Sequence, residues 1–332
     1  MTIVNSKIKI LKLIYLIISS GPLKNRISNN TIAKIVLKAN KLGLLDTYNH
    51  YKDQYWNDLE LVQKYINKNA TGDENTIWQI DILARFKKHL PFNKVLIIGC
   101  GNGWVERQLY DLGIGLHFDA FDNTEKYLKE ARSLAGNRDI HYFKADINNL
   151  RLGESKYDAI FNVAVLHHTF RLSHTVWNLY KALKQNGLMF NFDYVGPTRN
   201  QYSNEHLTIL QNINSQLPER FQSPHALRPA KENFYFGDPT EAIHSDLVRP
   251  TIERFFDIIF QRDLNGGIAY QILWNNIDEF KKNDLAAVGA LEFLLKTDAK
   301  YTELKKVPVL FWYSAVTQKP KENIVSWETL SS

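Results

Sequence analysis

Three glycines set between a strand and a helix constrain this chain more than any other feature. They stand in VLIIGCGNG, where Lys94 to Ile98 reads as a buried strand. Val105, Leu109 and Leu112 come next at helical spacing, and Gly113 is placed to stop the helix. A turn holding Gly99, Gly101 and Gly103 lets backbone approach a ligand where a Cβ would collide. Tight turns also need glycine for purely structural reasons, so the motif gains weight only from the residues downstream of it. The dinucleotide fingerprint G-x-G-x-x-G would put its third glycine at residue 104. This chain has Trp104 there, which argues against a pyrophosphate-bearing cofactor.

After Pro91 strands and helices alternate, the signature of a mostly parallel sheet. The pattern predicts strands at Leu116 to Phe121, Ile140 to Lys144, Tyr157 to Phe161 and Leu188 to Asp193. It predicts helices at Thr124 to Ala135 and at Thr175 to Lys184, the second ending at Gly187. Residues 197–253 break the alternation with a long polar and helical stretch. Phe255 to Phe260 and Val307 to Val316 then read as two more strands around helices in residues 268–297. The fold class expected is therefore α/β, a doubly wound, mostly parallel seven-stranded sheet whose ligands sit at the carboxyl ends of the strands. Residues 1–90 read as a helical extension, 91–196 as the cofactor-binding core, 197–253 as a cap that shapes an acceptor pocket, and 254–332 as the part completing the sheet. Within the extension, Asn49 to Lys88 is polar with spaced aromatics, among them Tyr51, Tyr55, Trp56, Tyr65 and Trp78. Helices with one buried stripe are expected there, separated by a turn at Asn69 to Asn75.

The formal net charge of +6 sits almost wholly at one end. The first fifty residues hold eight lysines and arginines against Asp46 alone, and the remainder is nearly neutral. A nucleic-acid enzyme would carry its charge around the site mouth, so no nucleic-acid partner is expected. Residues 8–18, IKILKLIYLII, are interrupted by Lys9 and Lys12 and are too short for the roughly 20 apolar residues that span a bilayer. The unbroken part, Leu13 to Ile18, is also short for a signal peptide. The segment reads either as a helix packed on the body or as a basic amphipathic helix in peripheral contact with a membrane. One cysteine, Cys100, excludes a disulfide framework and a cysteine-based zinc site, and fits a cytoplasmic protein with or without membrane association.

Two acids come after the glycines in order. Asp122 ends the next strand, 23 residues after Gly99, and has the chemistry to accept hydrogen bonds from ribose hydroxyls, each worth about 1.5 to 3 kcal/mol. It is equally placed to cap the helix that begins at Thr124. Asp119 would point to the opposite face of that strand. Asp146 with Ile147 ends the following strand, where a carboxylate beside an apolar side chain suits an adenine amino group and ring, or else forms a turn. The fourth strand runs into YDAIFNVAVLHHT, residues 157–169.

A glycine loop, an acid after strand two, an acid after strand three and a short motif after strand four together resemble the class I S-adenosylmethionine-dependent methyltransferases, small-molecule type. The resemblance covers roughly residues 90–196. It implies S-adenosyl-L-methionine as cofactor, with Gly99, Cys100, Gly101 and Gly103 beside its methionine part and Asp122 with Asn123 at the ribose. Asp146 and Ile147 would then meet the adenine, and Asn162 and Val163 the sulfonium side. Asn162 departs from the pattern, being polar where many members have a small residue.

Methyl transfer from a sulfonium is an in-line displacement that gains mainly from alignment and exclusion of water. A base is needed when the acceptor keeps a proton, and His167 or His168, at the cofactor's edge, is the candidate. The 197–253 stretch offers Arg199, Tyr202, His206, His225, Arg228, Tyr235, Glu241 and His244 for recognising the acceptor, with Tyr202, His244 and Arg199 preferred. No pair of histidines stands at helical metal-ligand spacing with a nearby acid, so no metal is expected. The function expected is methyl transfer to a small-molecule, glycan or lipid-linked acceptor, at oxygen. The alternative is a catalytically silent scaffold that keeps the nucleotide-binding sheet and docks through its basic N-terminus. An NAD-dependent oxidoreductase suffers from Trp104 and from the lack of evident hydride-transfer residues.

Overall fold

The computed structural model describes residues 55–231, 234 and 238–324. Residues 8–18, Tyr51 and Tyr235, singled out in the sequence, lie outside the described residues. Among the described residues no helix is long and apolar enough to cross a membrane.

Two helices, α1 (Glu60–Thr71) and α2 (Trp78–Arg85), precede the sheet, and Gly72 ends the first in the left-handed region at φ 94°. The sheet then opens with β1 (Phe92–Ile98), α3 (Trp104–Asp111), β2 (Gly115–Asp122), α4 (Glu125–Leu134) and β3 (Ile140–Lys144). It continues with β4 (Tyr157–Val163), α5 (Leu172–Ala182) and β5 (Leu183–Tyr194). After these come α6 (Asn204–Gln216), α7 (Ser245–Phe255), β6 (Phe256–Asp263), α8 (Ala269–Trp274), α9 (Ile277–Lys281), α10 (Leu285–Glu303) and β7 (Phe311–Gln318).

The seven strands lie in the order β3-β2-β1-β4-β5-β7-β6. β1 to β5 pair in parallel, and β7 runs antiparallel to both of its neighbours. The chain leaves β1 toward β2 on one side and returns through β4 on the other. That places a topological switch point between β1 and β4, where the crossover loops diverge and leave a crevice.

Why the strands are buried on both faces is visible within β1. Val95 and Ile97 enter one apolar cluster with Val105, Leu109 and Leu128 of α3 and α4. Leu96 and Ile98 enter the other with Val176 and Leu179 of α5 and Val248 and Ile252 of α7. Each such side chain withdrawn from water contributes roughly 1.5 to 3 kcal/mol. A third cluster gathers α1, α6 and α8 to α10 around Trp56, Tyr194 and Tyr270.

Among the boundaries that differ from the sequence reading, two have a clear physical reason. The helix expected to run to Lys184 and end at Gly187 stops at Ala182, and β5 already begins at Leu183. Leu183 pairs with Tyr157 and Leu188 with Ala159, so residues 184–187 bulge out of the ladder, with Asn186 at φ 64°. The last strand starts at Phe311 rather than Val307, because Pro308 has no N–H to give to a ladder. Val307 and Leu310 instead bury themselves in the third cluster.

Candidate active site

A cavity of about 1630 Å³ opens at the carboxyl ends of β1, β2, β4 and β5. Its walls include Gly99, Cys100, Gly101, Asp122, Asn123, Asp146, Ile147 and Val163 from the residues expected at a cofactor.

The three glycines serve different ends. A Cβ on Gly101, at φ 55°, would meet no protein atom within 4 Å, and this glycine lines the cavity; a side chain there would fill space that a ligand could use. Gly99 is kept bare by Val165, whose methyl carbons lie 2.7 and 2.8 Å from where its Cβ would stand. Gly103 is not a cavity residue. A Cβ there would come within 2.5 Å of Tyr142 Oη and 2.8 Å of Arg107 Nη1, so its bareness lets α3 pack, whereas the sequence reading had placed it beside the cofactor. Trp104, standing where a third dinucleotide glycine would be, is half exposed and lines the cavity.

Asp122 is fixed from both sides. One carboxylate oxygen accepts from Gly101 N at 3.0 Å, tying the glycine loop to the end of β2, and the other accepts from Thr124 N at 2.7 Å at the start of α4. The cap and the cavity wall are thus one residue. Burial raises its pKa against the pull of these hydrogen bonds. Asp119 points away into ion pairs with Lys156 at 2.9 Å and Lys94 at 3.5 Å. Asp146 accepts from Asn148 N at 3.0 Å and Asn149 Nδ2 at 3.2 Å, and so shapes its loop while lining the cavity. Burial pushes the Cys100 thiol up, so it stands as a neutral wall.

At the other end of the same cavity, the β4 motif meets the end of β5 and the 197–253 stretch. Asp193 is a completely buried carboxylate with four donors: His167 Nδ1 at 2.5 Å, Tyr194 N at 2.8 Å, Asn162 Nδ2 at 2.7 Å and Leu166 N at 2.9 Å. Asn162 does not reach the cavity. Its Oδ1 accepts from Leu166 N at 3.1 Å and its amide holds Asp193, so it braces the histidine loop from beneath rather than touching a cofactor.

The adjacent histidines have unlike surroundings. Burial lowers the affinity of His167 for a proton, but the charge and hydrogen bond of Asp193 and the nearby Glu241 outweigh it and raise its pKa to about 10, leaving an imidazolium. His168 is driven the other way, by burial and by the positive charge of His167. Its Nδ1 lies 3.0 Å from Thr240 Oγ1, whose hydroxyl donates to Asp238 Oδ1 at 2.6 Å. Since that proton is already spent, Nδ1 must be the donor, and Nε2 keeps a bare lone pair. Glu241 Oε2 stands 3.6 Å from that Nε2 and 3.7 Å from His167 Nε2.

Ligand atoms of His167, His168 and Glu241 all lie within 4.8 Å of one another, a grouping with metal-ligand composition. No metal was expected from the spacing of histidines along a helix. Such spacing cannot register a contact that brings the carboxylate from 73 positions downstream.

The residues preferred for acceptor recognition are placed otherwise. Arg199 is buried, donating to Glu241 O at 2.7 Å and Pro239 O at 2.6 Å, so it holds the loop that carries Asp238, Thr240 and Glu241. Tyr202 is buried with its hydroxyl on Gln271 Oε1 at 3.0 Å, and His244 precedes the first turn of α7; neither lines the cavity. His206 gives its Nε2 to Gly267 O at 2.5 Å and is likewise structural. Glu241, one of the residues offered by the stretch but not preferred, is the one that meets the histidines. Asp193, Asp238 and Thr240 were missed. Asp193 carried a legible signal, being an acid at the carboxyl end of an expected strand.

Residues 96–191, from the middle of β1 into β5, match the family model described as a methyltransferase domain. Over these residues the chain is similar to a methyltransferase domain. S-adenosylmethionine is the cofactor such domains take, and the bare Gly101 wall together with the oxygens of Asp122 and Asp146 fits it. The domain is similar to the ubiquinone biosynthesis O-methyltransferase of Rickettsia akari, 28% identical over 32% of this chain and 42% of that protein. It is also similar to the malonyl-[acyl-carrier protein] O-methyltransferase of Bacillus anthracis, 29% identical over 29% of this chain and 35% of that protein. The chain thus spans well under half the length of these relatives. An S-adenosylmethionine dependent methyltransferase structure from Mesorhizobium loti aligns at a TM-score of 0.44 and 15% identity, covering 71% of this chain and 97% of the other.

Proposed function

We propose that the protein transfers a methyl group from S-adenosylmethionine to an oxygen of a small-molecule acceptor, with His168 as general base. The observation that carries this reading is the proton arrangement at His168. Its Nδ1–H is committed to Thr240, its Nε2 is bare, and it lines the same cavity as the Gly101 loop and Asp122. Both curated relatives are O-methyltransferases, which supports oxygen as the acceptor atom.

S-adenosylmethionine, when bound, supplies an electrophilic methyl on a sulfonium. Gly99 to Gly101 would lie along its methionine part, Asp122 and Asn123 at the ribose, Asp146 and Ile147 at the adenine and Val163 near the reacting end. An acceptor hydroxyl seated against His168 would give its proton to Nε2 as its oxygen takes the methyl. Glu241 would then stabilise the new imidazolium across 3.6 Å. Thr240 and Asp238 hold the ring in its reactive tautomer, and Asp193 pins His167 so that the loop does not shift. A positioned base of this kind is worth about 10²- to 10⁴-fold.

The test is His168→Asn, assayed as S-adenosylhomocysteine formed from a panel of hydroxyl acceptors. Turnover should fall at least a hundredfold while cofactor affinity stays within twofold; full turnover would remove His168 from the chemistry. The His167, His168 and Glu241 grouping supports a second reading, a divalent metal that activates the acceptor. On the general-base reading chelator treatment leaves the rate unchanged. A loss restored by one added divalent ion would favour the metal.

A further inference from the structure

We propose that the acceptor is a ring-bearing hydroxyl compound without an anionic group, held by an aromatic wall that starts at the histidines. This rests on the methyltransferase reading and narrows its substrate class.

The wall is continuous. The His167 and Tyr194 rings stand 6.0 Å apart between centroids, Tyr194 and Tyr270 5.9 Å, and Tyr270 and Trp274 5.9 Å. Trp56 stacks on Phe311 at 5.2 Å and meets Tyr270 edge-on at 5.7 Å. All of these line the cavity, on the side away from the glycine loop. Flat apolar faces at several orientations suit a planar ring, which gains from offset or edge-to-face contact beyond its buried area.

Charge decides what kind of ring. Every acid lining this end already has a partner. Asp58 takes Lys281 Nζ at 3.2 Å, Asp193 takes His167, Asp238 takes Thr240, and Glu241 faces both histidines. Among the described lining residues the one lysine or arginine is Arg171, which is spent on Asn148 O and Asn149 Oδ1 at the opposite end. His167 Nδ1 is held by Asp193. An acceptor carrying a carboxylate or phosphate would enter an acid-lined space whose cations are already engaged. Such an anion would give up hydration without an ionic partner, which is costly in an enclosed site. A neutral hydroxyl loses little and finds the lone pair of His168.

Two probes of one shape and different charge test this: 2-naphthol and 2-naphthoate, titrated into the full chain saturated with S-adenosylhomocysteine. The naphthol should bind at least tenfold more tightly than the naphthoate. Tyr55→Ala and Trp274→Ala, both on the cavity wall and outside the proton relay, should each weaken naphthol at least fivefold with S-adenosylhomocysteine affinity unchanged. Two variants are used because Tyr55 is half exposed, so its loss leaves the core intact. If S-adenosylhomocysteine binds and the naphthoate matches or exceeds the naphthol, or neither probe binds, the substrate class is wrong while the methyltransferase reading stands. If S-adenosylhomocysteine itself fails to bind, the reading falls and this inference with it.

Discussion

Two neighbouring histidines, identical in sequence terms, are assigned opposite protonation states by what their Nδ1 atoms touch. His168 binds its proton less readily than an ordinary histidine because it is shielded from water and faces the charge of His167. Its base form therefore persists below the usual histidine range. The acid limb of kcat/KM against pH should accordingly lie below 6.5, as followed by product formation in an initial-rate series; a limb above 7 would contradict the assignment. His167 has the reverse linkage. Its folded pKa of about 10 exceeds the ordinary 6.5, so the pair with Asp193 contributes fully below about 6.5 and is lost as pH rises through about 10. His167→Gln should cost on the order of 3 kcal/mol in urea unfolding at pH 6, a gap that narrows toward pH 10. A gap independent of pH would mean that His167 is neutral in the fold. None of this was legible in the sequence: VLHHT names two candidate bases, but Asp193, Thr240 and Asp238, which tell them apart, come from β5 and a loop some 70 residues on.

The glycine loop and the 197–253 stretch show what an element can be read for and what it cannot. A strand, three glycines and a helix were legible because apolar period and turn chemistry agree over a short span. Which glycine faces the ligand was not, since that depends on Tyr142, Arg107 and Val165 arriving from elsewhere. Gly101→Ala should fold, at a cost of about 1 to 2 kcal/mol for a side chain at positive φ, and lose at least tenfold in S-adenosylhomocysteine affinity by calorimetry. Gly103→Ala should show the opposite balance, a larger drop in melting temperature with affinity little changed among the molecules that remain folded. Similar profiles for the two would dissolve the distinction. In the 197–253 stretch, of the side chains that looked reactive, Arg199 and Tyr202 turned inward and His244 stands off the cavity, because a long polar segment without a repeating period gives no clue to its facing. Arg199→Met should leave the carbonyls of Glu241 and Pro239 without a donor, costing about 1 to 3 kcal/mol each. Acceptor-probe binding should weaken with it while S-adenosylhomocysteine binding holds; intact probe binding would show that the loop needs no brace.

At the scale of the whole molecule, the order of glycine loop, acid and acid is what translated into a place. Parallel strands whose connections diverge between β1 and β4 put all their carboxyl ends on one rim, so residues spaced 20 or more apart in sequence become neighbours around a cavity. The sheet, and the cavity rim where the glycine loop and both acids meet, were therefore readable from local signals repeated in order. The acceptor end was not, because it is assembled by tertiary contact among α1, α8, β5, β7 and the 197–253 loop. The central claim, a cofactor cavity shaped for an adenosyl sulfonium, is tested most directly by calorimetric titration of the full chain with S-adenosylmethionine, S-adenosylhomocysteine and NAD in parallel. Micromolar binding of the two adenosyl ligands, one per chain, and none of NAD is the expected result. Binding of NAD, or of neither adenosyl ligand, would contradict it.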